Sequence, residues 1–240
     1  MTEFLFALKD RREIAEETMA FWFDTAGSNY AFKAGQNADF ILIDPGETDA
    51  EGNARTLSFC SSPNAKNSIM VATRMRKTAF KNWLKKVPLG TKVKVSQAMG
   101  SLTLHKDASK AAVFLAGGIG VTPMRSIVEW AMQERLPHSL ILFYSNRTPA
   151  ATAFLDDFEG WAKQNPKLKF LPTITDAKDS SWRYEVGRIG QDLVKRHVPD
   201  LQNSIYYLAG PPAMVAGMRQ LLESLGVSED NLKTEEFAGY

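Results

Sequence analysis

Residues 114–125 read FLAGGIGVTPMR, an apolar run that ends in three closely spaced glycines and passes at once into Thr-Pro and a helical pattern. In an open parallel sheet such a turn lies beyond the carboxyl end of a strand, where ligands bind at the switch in strand order. Gly117, Gly118 and Gly120 allow positive φ and close approach of backbone to a ligand. Thr122 is expected to cap the helix and Pro123 to take its first position, where a missing N–H costs nothing. Free N–H groups and the positive end of the helix dipole then face the turn and suit a pyrophosphate. The spacing Gly118-x-Gly120-x-x-Pro123 lacks the third glycine of GxGxxG, and no GxxxxGK[ST] occurs. Alone, such a turn is also a common way to join a strand to a helix. A second copy follows in residues 206–212, YYLAGPP, where an apolar run again ends in Gly210 and Pro211-Pro212 open a helix. Two such turns on one sheet edge frame a crevice for an extended dinucleotide.

The rest of the chain has two rhythms. Up to about residue 107 it reads as strands: 17–25, 40–43, 92–96 and a short apolar run at 102–104, punctuated by turn glycines and interrupted by one helical piece at 78–86. In residues 17–25, Met19, Phe21 and Phe23 alternate against Thr18, Ala20 and Trp22. Short strands with regular turns suggest a small antiparallel β-barrel or sandwich. Beyond residue 110, strands at 111–116, 140–144, 168–174, 205–209 and 232–237 alternate with helices at 123–133, 151–164, 191–197 and 214–225. That alternation predicts a doubly wound α/β parallel sheet. The expected division is 1–107 and 108–240.

Composition narrows the function. A net charge of +2 over 240 residues gives no argument for nucleic acid. No stretch has the apolar length of a membrane span, and the first residues lack a signal-peptide layout, so a cytoplasmic protein is expected. The single cysteine, Cys60, rules out a cysteine-ligated iron–sulfur cluster built from these residues alone. His105, His138 and His197 are scattered without metal-binding spacing. The basic run at 74–86 is either a solvated helix face or a docking patch for an acidic partner.

Arg55 stands at the head of a strand alternating Leu57, Phe59 and Ser61 with Ser58, Cys60 and Ser62. A guanidinium fork matches phosphate oxygens, although the residue type alone favours a surface arginine on an edge strand. The order of motifs says more: AFKAGQNADFIL, then RxxSxxSSP from Arg55, a helix opening at Thr78, GGxGxTP, GPPAMV and an aromatic end EEFAGY. In this order they resemble the ferredoxin–NADP(+) reductase superfamily over nearly the whole chain. The resemblance implies a flavin-binding barrel followed by a nicotinamide-nucleotide domain, with FAD preferred to FMN. It implies that Arg55 holds the flavin phosphate, Thr56 and Leu57 lie along the flavin, and Ser58 places its hydroxyl where hydride arrives. Thr78 would meet the pyrophosphate, and Thr122 would face the flavin between the domains. Tyr240, or Phe237, would be the aromatic lid that moves to admit nicotinamide. The family commonly has tyrosine where this chain has Leu57, and many members have cysteine where it has Ala209.

The same resemblance assigns Gly117, Gly118, Gly120, Thr122, Pro123, Gly210, Pro211 and Pro212 to the nicotinamide crevice. Arg147 and Arg188 are candidates for a 2′-phosphate, whereas Asp176 would repel one and accept from ribose hydroxyls. The balance favours NADH. Hydride would enter from NAD(P)H and electrons would leave to a separate acceptor: a ferredoxin, flavodoxin, rubredoxin, oxygenase component or small oxidant. Two other readings stay open at this point. One is a flavin-binding electron-transfer subunit or redox sensor without independent turnover; the other is a nucleotide-binding module without flavin.

Overall fold

The structure is a computed structural model and describes residues 3–176 and 182–237. The strands and helices, in chain order, are β1 (Glu3–Ala15), β2 (Thr18–Asp24), β3 (Asn37–Leu42), β4 (Ala54–Ser58), β5 (Ser68–Arg74), α1 (Ala79–Lys86), β6 (Lys92–Ser96), β7 (Ala112–Gly117), α2 (Val121–Gln133), β8 (Leu140–Asn146), α3 (Leu155–Gln164), β9 (Leu168–Ile174), β10 (Glu185–Val186), α4 (Gln191–His197), β11 (Ile205–Gly210), α5 (Pro212–Ser224) and β12 (Leu232–Glu236).

The first six strands form one antiparallel sheet in the order β4-β3-β6-β1-β2-β5. A bridge between Phe59 and Val71, with Cys60 N–H donating to Met70 O at 2.7 Å, ties the end of β4 to β5 and closes the sheet into a barrel. The alternation in β2 is used on both faces. Phe21 and Phe23 fill the barrel with Phe6, Phe40 and Phe59. Ala20 and Trp22 point the other way, toward a cluster with Cys60, Met70, Ala72 and Ile119. Ile119 lies in the glycine turn, so this strand joins barrel to sheet.

The second sheet is parallel throughout, in the order β10-β9-β8-β7-β11-β12. Its central strand β7 is buried on both faces, as its unbroken apolar sequence requires. Ala112, Phe114 and Ala116 pack with Met124, Ile127 and Val128 of α2 and Phe158 of α3. Val113 and Leu115 pack with Leu193 and Val194 of α4 and Val215 and Leu222 of α5. Strands β8, β9 and β10 spread to one side of β7, and β11 and β12 to the other. The switch point falls between β7 and β11, where both glycine turns emerge.

Several expectations need correction. Residues 102–104 form no strand. The helix expected from 151 begins at Leu155. Thr122 is not a cap: a single 3₁₀ turn over Gly118–Gly120 runs straight into α2, and Gly120 takes the cap position. Pro123 is therefore the third residue of the helix. Val121 N–H is taken up by Gly118 O and Ile119 O, so the first helical N–H is not free for a ligand. The expected strand at 17–25 and helices at 78–86 and 191–197 are present within a residue or so of those bounds.

Among the described residues, no helix is long and apolar enough to cross a membrane.

Candidate functional site

The two sequence motifs that frame the site are locked to one another. Residues following β4 lie along α2: Ser62 N–H donates to Glu129 at 2.7 Å, Ser62 Oγ to Gln133 at 2.6 Å, and Ser126 Oγ to Ser61 O at 2.7 Å. Arg125 reaches back to Cys60 O at 2.8 Å and holds Asp157 with Nε at 2.9 Å and Nη2 at 2.8 Å. Cys60 is buried here and its thiol is pushed up to about 12, chiefly by desolvation, so it stays neutral and unreactive.

The glycines of the turn divide by task. A Cβ on Gly120 would run into the backbone carbonyl of Ala209, and one on Gly117 into Met214 Sδ. Gly120 lets the turn approach the end of β11, and Gly117 lets the end of β7 approach the start of α5. Gly118 has φ +52° and open space where a Cβ would be, so it is the one whose backbone faces a free surface. Gly210 has φ +153°, and Pro211 and Pro212 cap and open α5. Thr122 is buried, and its hydroxyl donates to Ile119 O at 3.0 Å rather than facing an open site.

Beside these turns is a crevice of about 400 Å³ whose walls include Ser145, Thr175, Arg188, Pro211, Met214 and Met218. Arg188 is part of its wall. Arg147 and Asp176 are neighbours just outside, with Asp176 N–H donating to Arg147 O at 2.8 Å. Ser145, Met214 and Met218 were not foreseen from the sequence.

On the barrel side, Ser58 Oγ donates to Glu235 Oε1 at 3.1 Å, and Asn37 Nδ2 donates to the same oxygen at 3.0 Å. Glu235 lies on β12 directly opposite Ala209 of β11, one residue before Gly210. Ser58 is thus tied through one carboxylate to the edge strand that pairs with β11, whose next residue after Gly210, Pro211, lines the crevice. Burial raises the Glu235 carboxyl above its ordinary pKa, against the lowering effect of Asn37 and Ser58. Neither Glu235 nor Asn37 was picked out from sequence. The available signal was an acidic residue inside a predicted strand, just before the aromatic end.

Arg55 is mostly buried and stacks over Phe80 at 5.2 Å. Its Nη1 donates to the carbonyls of Glu51, Gly52 and Ala54 at 2.9, 3.3 and 2.7 Å. Its Nη2 is buried and meets no acceptor in hydrogen-bonding geometry. Thr78 caps α1 by accepting from Lys81 N–H at 3.4 Å, and its own N–H goes to Arg76 O at 2.9 Å. Thr56 is exposed and donates to Asp39 at 2.5 Å. Leu57 is buried in the barrel core.

Phe237 is half-buried, packs against the Ile119 cluster and donates its N–H to Gly210 O at 3.0 Å. Tyr240 lies outside the described residues. Lys81, expected in an exposed basic run, is buried instead, with its ammonium donating to Arg74 O at 2.8 Å. Desolvation, helped by Arg76 and Arg55, lowers its pKa to about 8. The exposed cations of that run are Arg76, Lys77, Lys85 and Lys86.

Residues 114–220 match the oxidoreductase NAD-binding domain family. The chain is 23% identical over 213 residues to the reductase component 2 of terephthalate 1,2-dioxygenase from Comamonas sp., covering 88% of this chain and 61% of that relative. It thus spans about three-fifths of the length of the curated relative it matches. It superposes on the flavohem-like FAD/NAD-binding domain of nitric oxide dioxygenase from Vibrio cholerae with a TM-score of 0.83 at 16% identity, over 97% of this chain and 98% of the other. A ferredoxin NADP+ reductase from Neisseria gonorrhoeae, solved with bound FAD and NADP, gives a TM-score of 0.81 at 19% identity over 98% of each chain. The two sheets together have the fold of these two solved structures.

Proposed function

We propose that the chain is a flavin-dependent reductase that takes hydride from NAD(P)H and passes the electrons to a separate acceptor. The observation that carries this reading is the placement of Ser58. Its hydroxyl shares Glu235 Oε1 with Asn37, and Glu235 sits opposite Ala209, two residues before Pro211 of the crevice. A polar hydroxyl at the border of two binding domains suits a transfer that depends on positioning.

The barrel residues fit a flavin. Arg55 Nη2 is buried and ion-paired to Glu51 without an aligned hydrogen bond, a group suited to a phosphate oxygen, and α1 opens beside it. A bound flavin would accept the electron pair of a hydride and release electrons one at a time. Ser58 and Glu235 would hold a proton at the transfer point, and Phe237, with Tyr240, would cover the ring. FAD is preferred to FMN because the aromatic end resembles FAD-binding members of the superfamily. The test is direct: the purified protein should take up FAD and turn yellow, and NADH or NADPH should bleach it without oxygen. Protein that takes up no flavin would overturn the reading.

The crevice around Ser145, Thr175 and Arg188 would take the adenosine end of the nicotinamide nucleotide. Asp176 beside it favours NADH. Asp176→Arg is expected to raise kcat/KM for NADPH relative to NADH by about tenfold, the effect of gaining one charge-assisted phosphate contact. An unchanged ratio removes Asp176 from the specificity site.

For the acceptor, the Comamonas relative's name supports an oxygenase component; a ferredoxin, flavodoxin, rubredoxin or small oxidant fits the same chemistry. An acidic protein acceptor would dock by the exposed face carrying Lys85 and Lys86. Charge reversal of both to glutamate should slow reduction of such an acceptor by roughly tenfold at low salt and leave ferricyanide reduction unchanged. Equal rates on both acceptors would leave these lysines as a solvated surface.

A further inference from the structure

The loop between β3 and β4, residues 43–53, is rich in acid: IDPGETDAEGN. Two of its carboxylates converge on Arg55 and the start of α1. Asp49 Oδ2 accepts the Ala79 N–H at 2.6 Å, in the first turn of the helix. Its other oxygen stands 3.7 Å from Arg55 Nη2, and Glu51 Oε2 stands 2.7 Å from the same nitrogen. The Ala79 N–H holds the Asp49 carboxyl below its usual range, with Arg55 adding to the effect. The carbonyls of Glu51, Gly52 and Ala54 take up Nη1. Yet Nη2, for all the charge beside it, finds no acceptor along its N–H directions.

We propose that Asp49 and Glu51 act as an internal stand-in for the flavin phosphate, and that they set how strongly this site prefers phosphorylated flavins over riboflavin. The inference rests on the flavin reading of the site given above. A phosphate entering here either displaces the two carboxylates or shares one guanidinium with them. Its net gain is then only the difference between two anion contacts, because specificity is a difference of affinities. Without the two negative charges the phosphate would receive Arg55 Nη2 without a competing anion, a charge-assisted contact at the start of α1. Riboflavin has no phosphate and does not feel the exchange.

The test is equilibrium binding of FAD, FMN and riboflavin, followed by quenching of flavin fluorescence, to the wild type and to the double variant Asp49→Asn with Glu51→Gln. FAD and FMN are expected to bind about tenfold more tightly or better to the double variant, with riboflavin changed by less than about twofold. Glu51 is well exposed, at 61% for its side chain, so Glu51→Gln alone keeps the fold and should shift FAD and FMN in the same direction by less. Unchanged or weaker FAD and FMN binding in both variants, with the wild type still binding flavin, overturns the inference and leaves the flavin site standing. Equal tightening of riboflavin overturns it too, since the effect then does not act through phosphate. If no form of the protein takes up any of the three, the flavin reading fails and the inference falls with it.

Discussion

Arg125→Ala is expected to lower the free energy of unfolding by about 2–4 kcal/mol, the range for breaking a buried, hydrogen-bonded ion pair, reduced because one partner is partly in water. The guanidinium spends Nε and Nη2 on Asp157 and Nη1 on Glu129 and Cys60 O. It lies over the rings of Phe154 at 4.8 Å and Trp161 at 5.2 Å. Truncation therefore removes a bidentate pair, leaves Cys60 O without its donor and opens space between two aromatic rings. It also removes one of the links between the barrel and α2, leaving those through Ser61 and Ser62. Arg125→Lys keeps the charge but loses the fork, and an intermediate loss is expected. Chemical denaturation of the three proteins measures this. A loss under about 1 kcal/mol in the alanine variant would mean that the clamp is not a main support of the domain contact.

Gly120→Ala should disturb the crevice more than any substitution of a polar residue lining it. The added methyl would collide with the carbonyl of Ala209 and the amide of Gly210, which are backbone and have no rotamer to yield. Strand β11 and the 3₁₀ turn would have to separate, at a cost of about 1–3 kcal/mol for an overpacked site. A displacement of about 1 Å at a transfer site costs on the order of 100-fold in rate, so hydride transfer is expected to fall by that order even where the protein still folds. Gly118→Ala is the control: its Cβ meets open space, and its penalty is the positive φ alone. Similar hydride-transfer rates for Gly120→Ala and the wild type would show that the two turns can part without consequence.

What the sequence reveals and hides follows from the range of each interaction. Thr78 as a cap is legible because capping is local, an oxygen three residues from the N–H it accepts. The parallel sheet is legible because β7, β8 and β11 are apolar runs separated by helical patterns. Strand β1 is harder to see: its pairing with β2 slips between Leu8 and Asp10 and again between Glu13 and Ala15, so its side chains do not alternate. Thr122 and Pro123 imitate a helix start, but the turn before them is already helical and takes over the cap. Glu235 looks like any acid on a surface strand. Its partner Ser58 is 177 residues away, and only the docking of two domains brings them together. Lys81 sits between Phe80 and Leu84 on the buried side of α1, which a count of charges cannot register.

The central claim is that hydride crosses where Ser58 meets Glu235 beside Gly210. Stopped-flow bleaching of FAD-loaded protein by NADH, without oxygen, compares the wild type with Ser58→Ala directly. The claim predicts that both bind FAD alike and that the alanine variant bleaches about 10- to 100-fold more slowly, the scale for losing one positioned polar group at a transfer site. Equal bleaching rates in the two proteins, with flavin bound in both, would contradict it.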